Sequence, residues 1–166
     1  MSKILLTELP KGAFLKAYEA QPDTHTDCYK TNLQKHVSLE GFINAFFTSW
    51  LFRIERLILR LAMKKQSSDY DIAEFAKGTT DTMAAWETEQ RDENQILLQV
   101  PNTPIRTWLM RRTDGDQTHL YFGSAILPVR TDKDGKPALG RIFVLLMGFH
   151  RLYARALLYF AERTLR

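Results

Sequence analysis

One cysteine, Cys28, stands among the 166 residues. A single thiol cannot close an intramolecular disulfide, and it cannot supply a cysteine zinc site. The expectation for Cys28 is a small apolar filler in a strand rather than a reactive thiol. Long apolar runs are missing as well. The longest, such as residues 142–147, fall far short of the roughly 18 residues that argue for a membrane span, so no stable membrane insertion is expected. Met1-Ser2-Lys3 is followed by only Ile4-Leu5-Leu6 before Thr7 and Glu8, which is no signal-peptide pattern, and a cytoplasmic protein is the default. A glycine-rich phosphate loop is absent, and Gly123-Ser124-Ala125 lacks the Gly-x-Ser-x-Gly turn of a nucleophilic hydrolase. No cofactor is therefore expected. Charge of one sign is sparse too: the net charge is +4, the basic residues are spread along the chain, and no DNA or RNA motif is recognised. Nucleic acid is not an expected partner.

What is present is the balance of an ordinary globular chain, with 45% apolar and 25% charged residues, and the expectation is a single domain over residues 1–166. The chain is organised around its end. Leu139, Ile142, Phe143, Leu146, Phe149, Tyr153, Leu157 and Phe160 are spaced by threes and fours, which places them on one side of an α-helix. At about 1.5 Å per residue this makes a rod of roughly 40 Å, long enough to cross the face of a small sheet. Arg141, Arg151 and Arg155 fall on the opposite side, where solvation is the simplest expectation. His150 falls within the apolar side. An imidazole there must find a hydrogen-bond partner. It is then either a satisfied core histidine or the polar anchor of an otherwise apolar pocket.

Ahead of that helix the patterns are shorter. Leu9-Pro10-Lys11-Gly12 is a turn signal, residues 13–20 suit a short helix, and residues 26–34 read as a strand. Asp23, His25 and Asp27 alternate on its approach, but no second cluster completes a metal shell and no metal is expected. Ser38 is a good N-cap for a helix with Glu40 in its first turn. Its apolar stripe runs through Phe42, Phe46, Trp50, Ile54 and Leu61, with a bend expected at Thr48-Ser49. Glu55 lies at the edge of that stripe as a half-buried carboxylate, for which a salt bridge to an arginine is the simpler role. Ser68-Asp69-Tyr70-Asp71 resembles a capping box and Gly78 a helix stop. From Met83 to Val129 the period changes to two. One strand should run through Ala84, Trp86 and Thr88 with Trp86 inward, and the next should present Ile96, Leu98 and Val100. A third, residues 105–112, has apolar residues on both sides. Thr113-Asp114-Gly115-Asp116 signals a hairpin into a fourth, with Leu120, Phe122, Ser124 and Ile126 on one side. Strands joined by short turns imply an antiparallel meander, so the expected class is α+β.

The order of strand, helical pair, antiparallel strands and long final helix resembles the helix-grip fold of the START and Bet v 1-like superfamily, often called SRPBCC. Gly140-Arg141-Ile142-Phe143, then Phe149-His150-Arg151-Leu152, then Arg155, are similar to the ending of bacterial families of unknown function within it. Asp27-Cys28-Tyr29, Ala45-Phe46-Phe47 and Glu55-Arg56 are compatible with the same families. The resemblance implies a curved sheet gripping the last helix with a cavity between them. It implies no catalytic residue.

A binding protein for a small apolar or amphipathic ligand is the first expectation. Its cavity would be lined by Trp50, Trp86, Trp108, Phe122, Phe143, Leu146 and Tyr153, with His150 as a polar contact. A cyclase, dehydratase or isomerase in the same cavity is the second, with His150 and Glu55 as the acid and base. An interaction module, for example a homodimer built on an exposed apolar patch, is the third.

Overall fold

Alternating apolar residues over short runs, separated by turn formers, build most of this molecule. The computed structural model describes residues 3–54, 67–128, 130–131, 137–138 and 141–166, the side chains of 130–150 excepted. In chain order the elements are β1 (Leu5–Leu6), α1 (Lys16–Glu19), β2 (His25–Leu33), α2 (Leu39–Thr48) and α3, described over 50–54. Then come α4 (Asp69–Lys77), β3 (Thr82–Met83), β4 (Trp86–Arg91), β5 (Gln95–Gln99), β6 (Ile105–Asp114) and β7 (Gln117–Ile126). A separate pair, β8 (Arg130–Thr131) and β9 (Pro137–Ala138), precedes α5 (Arg141–Leu165). β1 to β7 form one curved, open antiparallel sheet in the order β1-β2-β7-β6-β5-β4-β3. The class is α+β, an arrangement compatible with a helix-grip fold.

Local chemistry sets the element boundaries. Ser38 Oγ accepts the Gly41 N–H at 3.0 Å and starts α2. Ser49 leaves the helix at ψ 151, and its hydroxyl accepts the Phe52 N–H at 3.4 Å, which separates α2 from α3 at the expected bend. Ser68 and Asp71 form the full capping box of α4, and Gly78 ends it at φ 85. Gly115, at φ 56, opens the two-residue β6–β7 turn, where a type II′ hairpin places its glycine. Two expectations change. The strand expected through Ala84, Trp86 and Thr88 starts only at Trp86, because Ala84 takes a left-handed φ of 52 and Met83 pairs back with Trp86 in a tight hairpin. The helix expected over residues 13–20 keeps only Lys16–Glu19; before it the chain makes i→i+3 turns, with Ala13 bonded to Pro10 and Lys16 to Ala13.

The sheet has two greasy faces. On the inner one Tyr29, Leu33, Ile96, Leu98, Leu109, Leu120 and Phe122 meet Phe42, Phe46 and Phe47 of α2, Ile72 and Phe75 of α4, and Ala154, Leu157, Leu158 and Ala161 of α5. Thr31 Oγ1 donates to Glu162 at 3.2 Å and ties the end of α5 to β2; Arg166 pairs with the same carboxylate at 2.8 Å. On the outer face Cys28, Leu97, Trp108, Tyr121 and Ala125 are covered by Leu9, Ala13, Leu15 and Tyr18 of the N-terminal stretch. That stretch is fastened by Gln95, whose Oε1 accepts the Phe14 N–H at 3.0 Å and the Trp108 Nε1–H at 2.9 Å, while its Nε2 donates to Gly12 at 3.0 Å. Arg106 lies over the Tyr18 ring and bonds both the Tyr18 hydroxyl and Glu89. Among the described residues no helix is long and apolar enough to cross a membrane.

Candidate functional site

Side chains alternate across a strand, so β2, β7 and β6 present matched rows to the inner face. One row is Tyr29, Phe122 and Leu109; the next is Asp27, Ser124 and Thr107; beyond it lie His25, Ile126 and Ile105. The first row is packed. Above the second and third, α5 does not close fully on the sheet, and a cavity of about 190 Å³ remains. Its apolar wall is Phe46 of α2, Phe52 of α3, Trp86, Phe122 and Ile105 of the sheet, and Ala154 and Leu157 of α5. The polar contributions are Thr107, Ser124 and Tyr153. Rings brace one another around it: Phe46 lies 5.0 Å from Phe122 and Phe52 lies 5.1 Å from Trp86, centroid to centroid. Ile105 is 43% exposed and puts one end of the cavity at the surface.

Behind Ser124 sits a buried carboxylate. Asp27 is 7% exposed and Ser124 3%. The Ser124 hydroxyl donates to Asp27 Oδ1 at 2.6 Å, and the Ser124 backbone N–H donates to the same oxygen at 3.1 Å. Asp27 also borders a second hollow of about 240 Å³ at the sheet edge, where Glu8, Glu19, His25, Cys28 and Arg151 line the wall. The Asp27–Ser124 pair is thus a partition between an apolar space and a polar one. Its charge is felt nearby. Burial, with Asp27 and then Glu19 adding to it, pushes the Cys28 thiol up to about 12. Burial, with Asp27 adding to it, pushes the Tyr29 phenol up to about 12 against the opposing pull of Arg151 and Arg155. Both groups keep their protons at neutral pH.

Three of the expected lining residues meet in the cavity: Trp86, Phe122 and Tyr153. Trp108 does not reach it. Strand alternation turns Leu109 inward and Trp108 outward, under the N-terminal stretch. Trp50 does not reach it either. The break at Ser49 turns the start of α3 so that Phe52 enters the core, while Trp50 is left 62% exposed beside Phe160, 5.5 Å between ring centroids. The side chains of Phe143, Leu146 and His150 lie outside the described residues, as does all of Glu55. The expected pairing of His150 with Glu55 lies there with them.

Ser124 and Thr107 were not singled out as site residues by the sequence patterns, and Asp27 was weighed only as part of a metal cluster, yet one signal was present. Apart from Thr118 at the start of the strand, Ser124 is the hydroxyl on a side otherwise made of Leu120, Phe122 and Ile126. A polar side chain there needs a partner, and the strand opposite carries Asp27 in register. Compared with protein-family models, with curated proteins and with solved structures, the chain finds no match.

Proposed function

We propose that this chain binds a small apolar or amphipathic molecule between the sheet and α5, which the sheet grips in the helix-grip manner. The cavity is the observation that carries this. It is walled by aromatic and aliphatic side chains with a few polar groups on one side, which is the usual make-up of a small-molecule site. Its size sets the guest. An apolar cavity of about 150 Å³ suffices for benzene, so about 190 Å³ suits one substituted ring or a short chain. The α5 face supports the same reading. Small Ala154 lines the same cavity as Phe122 and Ser124, and a larger residue there would reduce its volume.

A thermal-shift screen of single-ring aromatics and short-chain amphiphiles tests this. A guest at a hundred times its Kd adds about 2.7 kcal/mol to stability. For a chain of this size that raises Tm by roughly 5–10 °C. Ala154→Leu fills the cavity and abolishes the shift, whereas Trp50→Ala, at the exposed site, keeps it. A screen in which no compound raises Tm, or in which Ala154→Leu responds like the parent, rejects the proposal.

A further inference from the structure

The residues of α5 sealed against the sheet are Ala154, Leu157, Leu158 and Ala161. At about 3.6 residues per turn, the opposite side of the helix carries Leu152, Ala156, Tyr159 and Arg163. That outward side is therefore not purely basic: Leu152 is 67% exposed. Beside this crest, Phe160 meets the exposed Trp50 of α3, and Ile54, one turn on from Trp50, is exposed as well. Three of the seven large apolar side chains exposed among the described residues thus share the outer surface of α3 and α5; the other four are divided among β1, α4 and β6. The charge on this surface has one dominant sign. Arg151, Arg155, Arg163 and Arg166 are exposed along α5. The only carboxylate on residues 151–166 is Glu162, which is 1% exposed and bonded to Thr31 and Arg166. On α3, Arg53 is exposed, 3.6 Å from Asp69 of α4. A second copy of this surface would set arginine against arginine, so charge argues for an acidic occupant. The outer side of two helices is convex, which suits a flat surface. An anionic bilayer offers both properties: indole and leucine enter at the level of the headgroups, while arginine stems lie along the apolar boundary with their guanidinium groups on the phosphates.

We propose that the outer surface of α3 and α5 docks on an anionic membrane surface, with Trp50, Ile54 and Leu152 as its apolar contacts and Arg155 and Arg163 as its charged ones. The contact is peripheral, since no described helix is long and apolar enough to cross a bilayer. It is also independent of the binding reading above, because none of these five residues lines the cavity.

Cosedimentation of the full chain with two kinds of vesicle tests it: phosphatidylcholine alone, and phosphatidylcholine with about a third of phosphatidylglycerol. Tryptophan emission is read alongside. Trp86 and Trp108 are buried, so a blue shift on binding reports Trp50. The expected result is binding to the mixed vesicles at least tenfold tighter than to phosphatidylcholine, with a blue shift, and weaker as salt is raised. Leu152→Ser weakens it at least threefold, and Arg155→Glu with Arg163→Glu at least tenfold. Trp50→Ala weakens it and removes the shift, while Tyr70→Ala, at an exposed site on α4, binds like the parent. Equal binding of the parent chain to the two kinds of vesicle, or binding to neither, overturns the proposal whatever the variants do. So does undiminished binding by the arginine double variant. If polyglutamate in solution shifts the Trp50 emission as the mixed vesicles do, the surface belongs to an acidic protein and the membrane proposal falls.

Discussion

Cys28 shows what burial does to a single side chain. Its thiol faces Trp108 and Tyr121 on the covered outer side of the sheet, with the Asp27 charge next to it in sequence. Its proton is held up to about 12 from an ordinary 9.0. Iodoacetamide at pH 8 should therefore leave Cys28 unmodified in the native chain and label it readily in guanidinium; rapid native labelling would contradict this environment. The sign of the pH effect follows. A thiol raised on folding favours the native state fully below 9.0, and that advantage is lost as pH climbs towards about 12. Tyr29, raised from 10.0 to about 12, acts in the same direction. The denaturation midpoint should fall as pH rises above 9.0, less steeply in Cys28→Ala. Gly123 is constrained at the same scale. A Cβ there would lie 2.8 Å from Leu15 and 2.9 Å from the Asp27 carbonyl oxygen. Gly123→Ala should destabilise by about 1–3 kcal/mol in urea unfolding. The filler role of Cys28 was legible in the sequence because a lone cysteine in a β-rich run has few other roles. The role of Gly123 was not, because Leu15 and Asp27, which press on it, are far away in sequence.

Caps and breaks were the most legible elements, since they depend on neighbours three residues apart. The Ser38 cap, the Ser49 break and the Ser68–Asp71 box all stand where their residues put them. Long-range partners were not legible. The far end of α4 is closed by Arg91 of β4, which donates to Phe75 O at 2.8 Å and also to Ala76 O, and its guanidinium lies over Gly78. Burial lowers the pKa of that guanidinium, which still stays charged at neutral pH. Arg91→Ala should cost about 2 kcal/mol, measured by urea unfolding, because two helix-end carbonyls lose a charged donor. An unchanged midpoint would mean that water replaces it. In the part of α5 whose side chains are described, residues 151–166, the buried stripe is centred slightly away from the expected one. The residues sealed against the sheet are Ala154, Leu157, Leu158 and Ala161, while Tyr153 and Phe160 lie at its margins. Large aromatics drew the periodicity towards themselves, but small alanines are what let the helix lie close.

Across the whole molecule, the α+β class, the antiparallel meander and the closing helix could be read from residue spacing alone. The covering of the outer sheet face could not, although it left a trace. Residues 105–112 carry apolar side chains on both sides, and the structure resolves this ambiguity by burying both: Leu109 under the helices and Trp108 under the N-terminal stretch. With Trp108 on the outer layer and Trp50 at the surface, two tryptophans fewer than expected serve the cavity, and Phe46 and Phe52 stand in that wall instead. What organises the molecule is a sheet sealed on one face and left with a gap under α5 on the other. A crystal structure of the chain grown with 4-bromophenol tests this most directly, because bromine marks its own position by anomalous scattering. The account predicts one bromine peak in the cavity between Phe122 and Leu157. A filled interior without bromine, or bromine found only against the exposed Trp50–Phe160 pair, would contradict it.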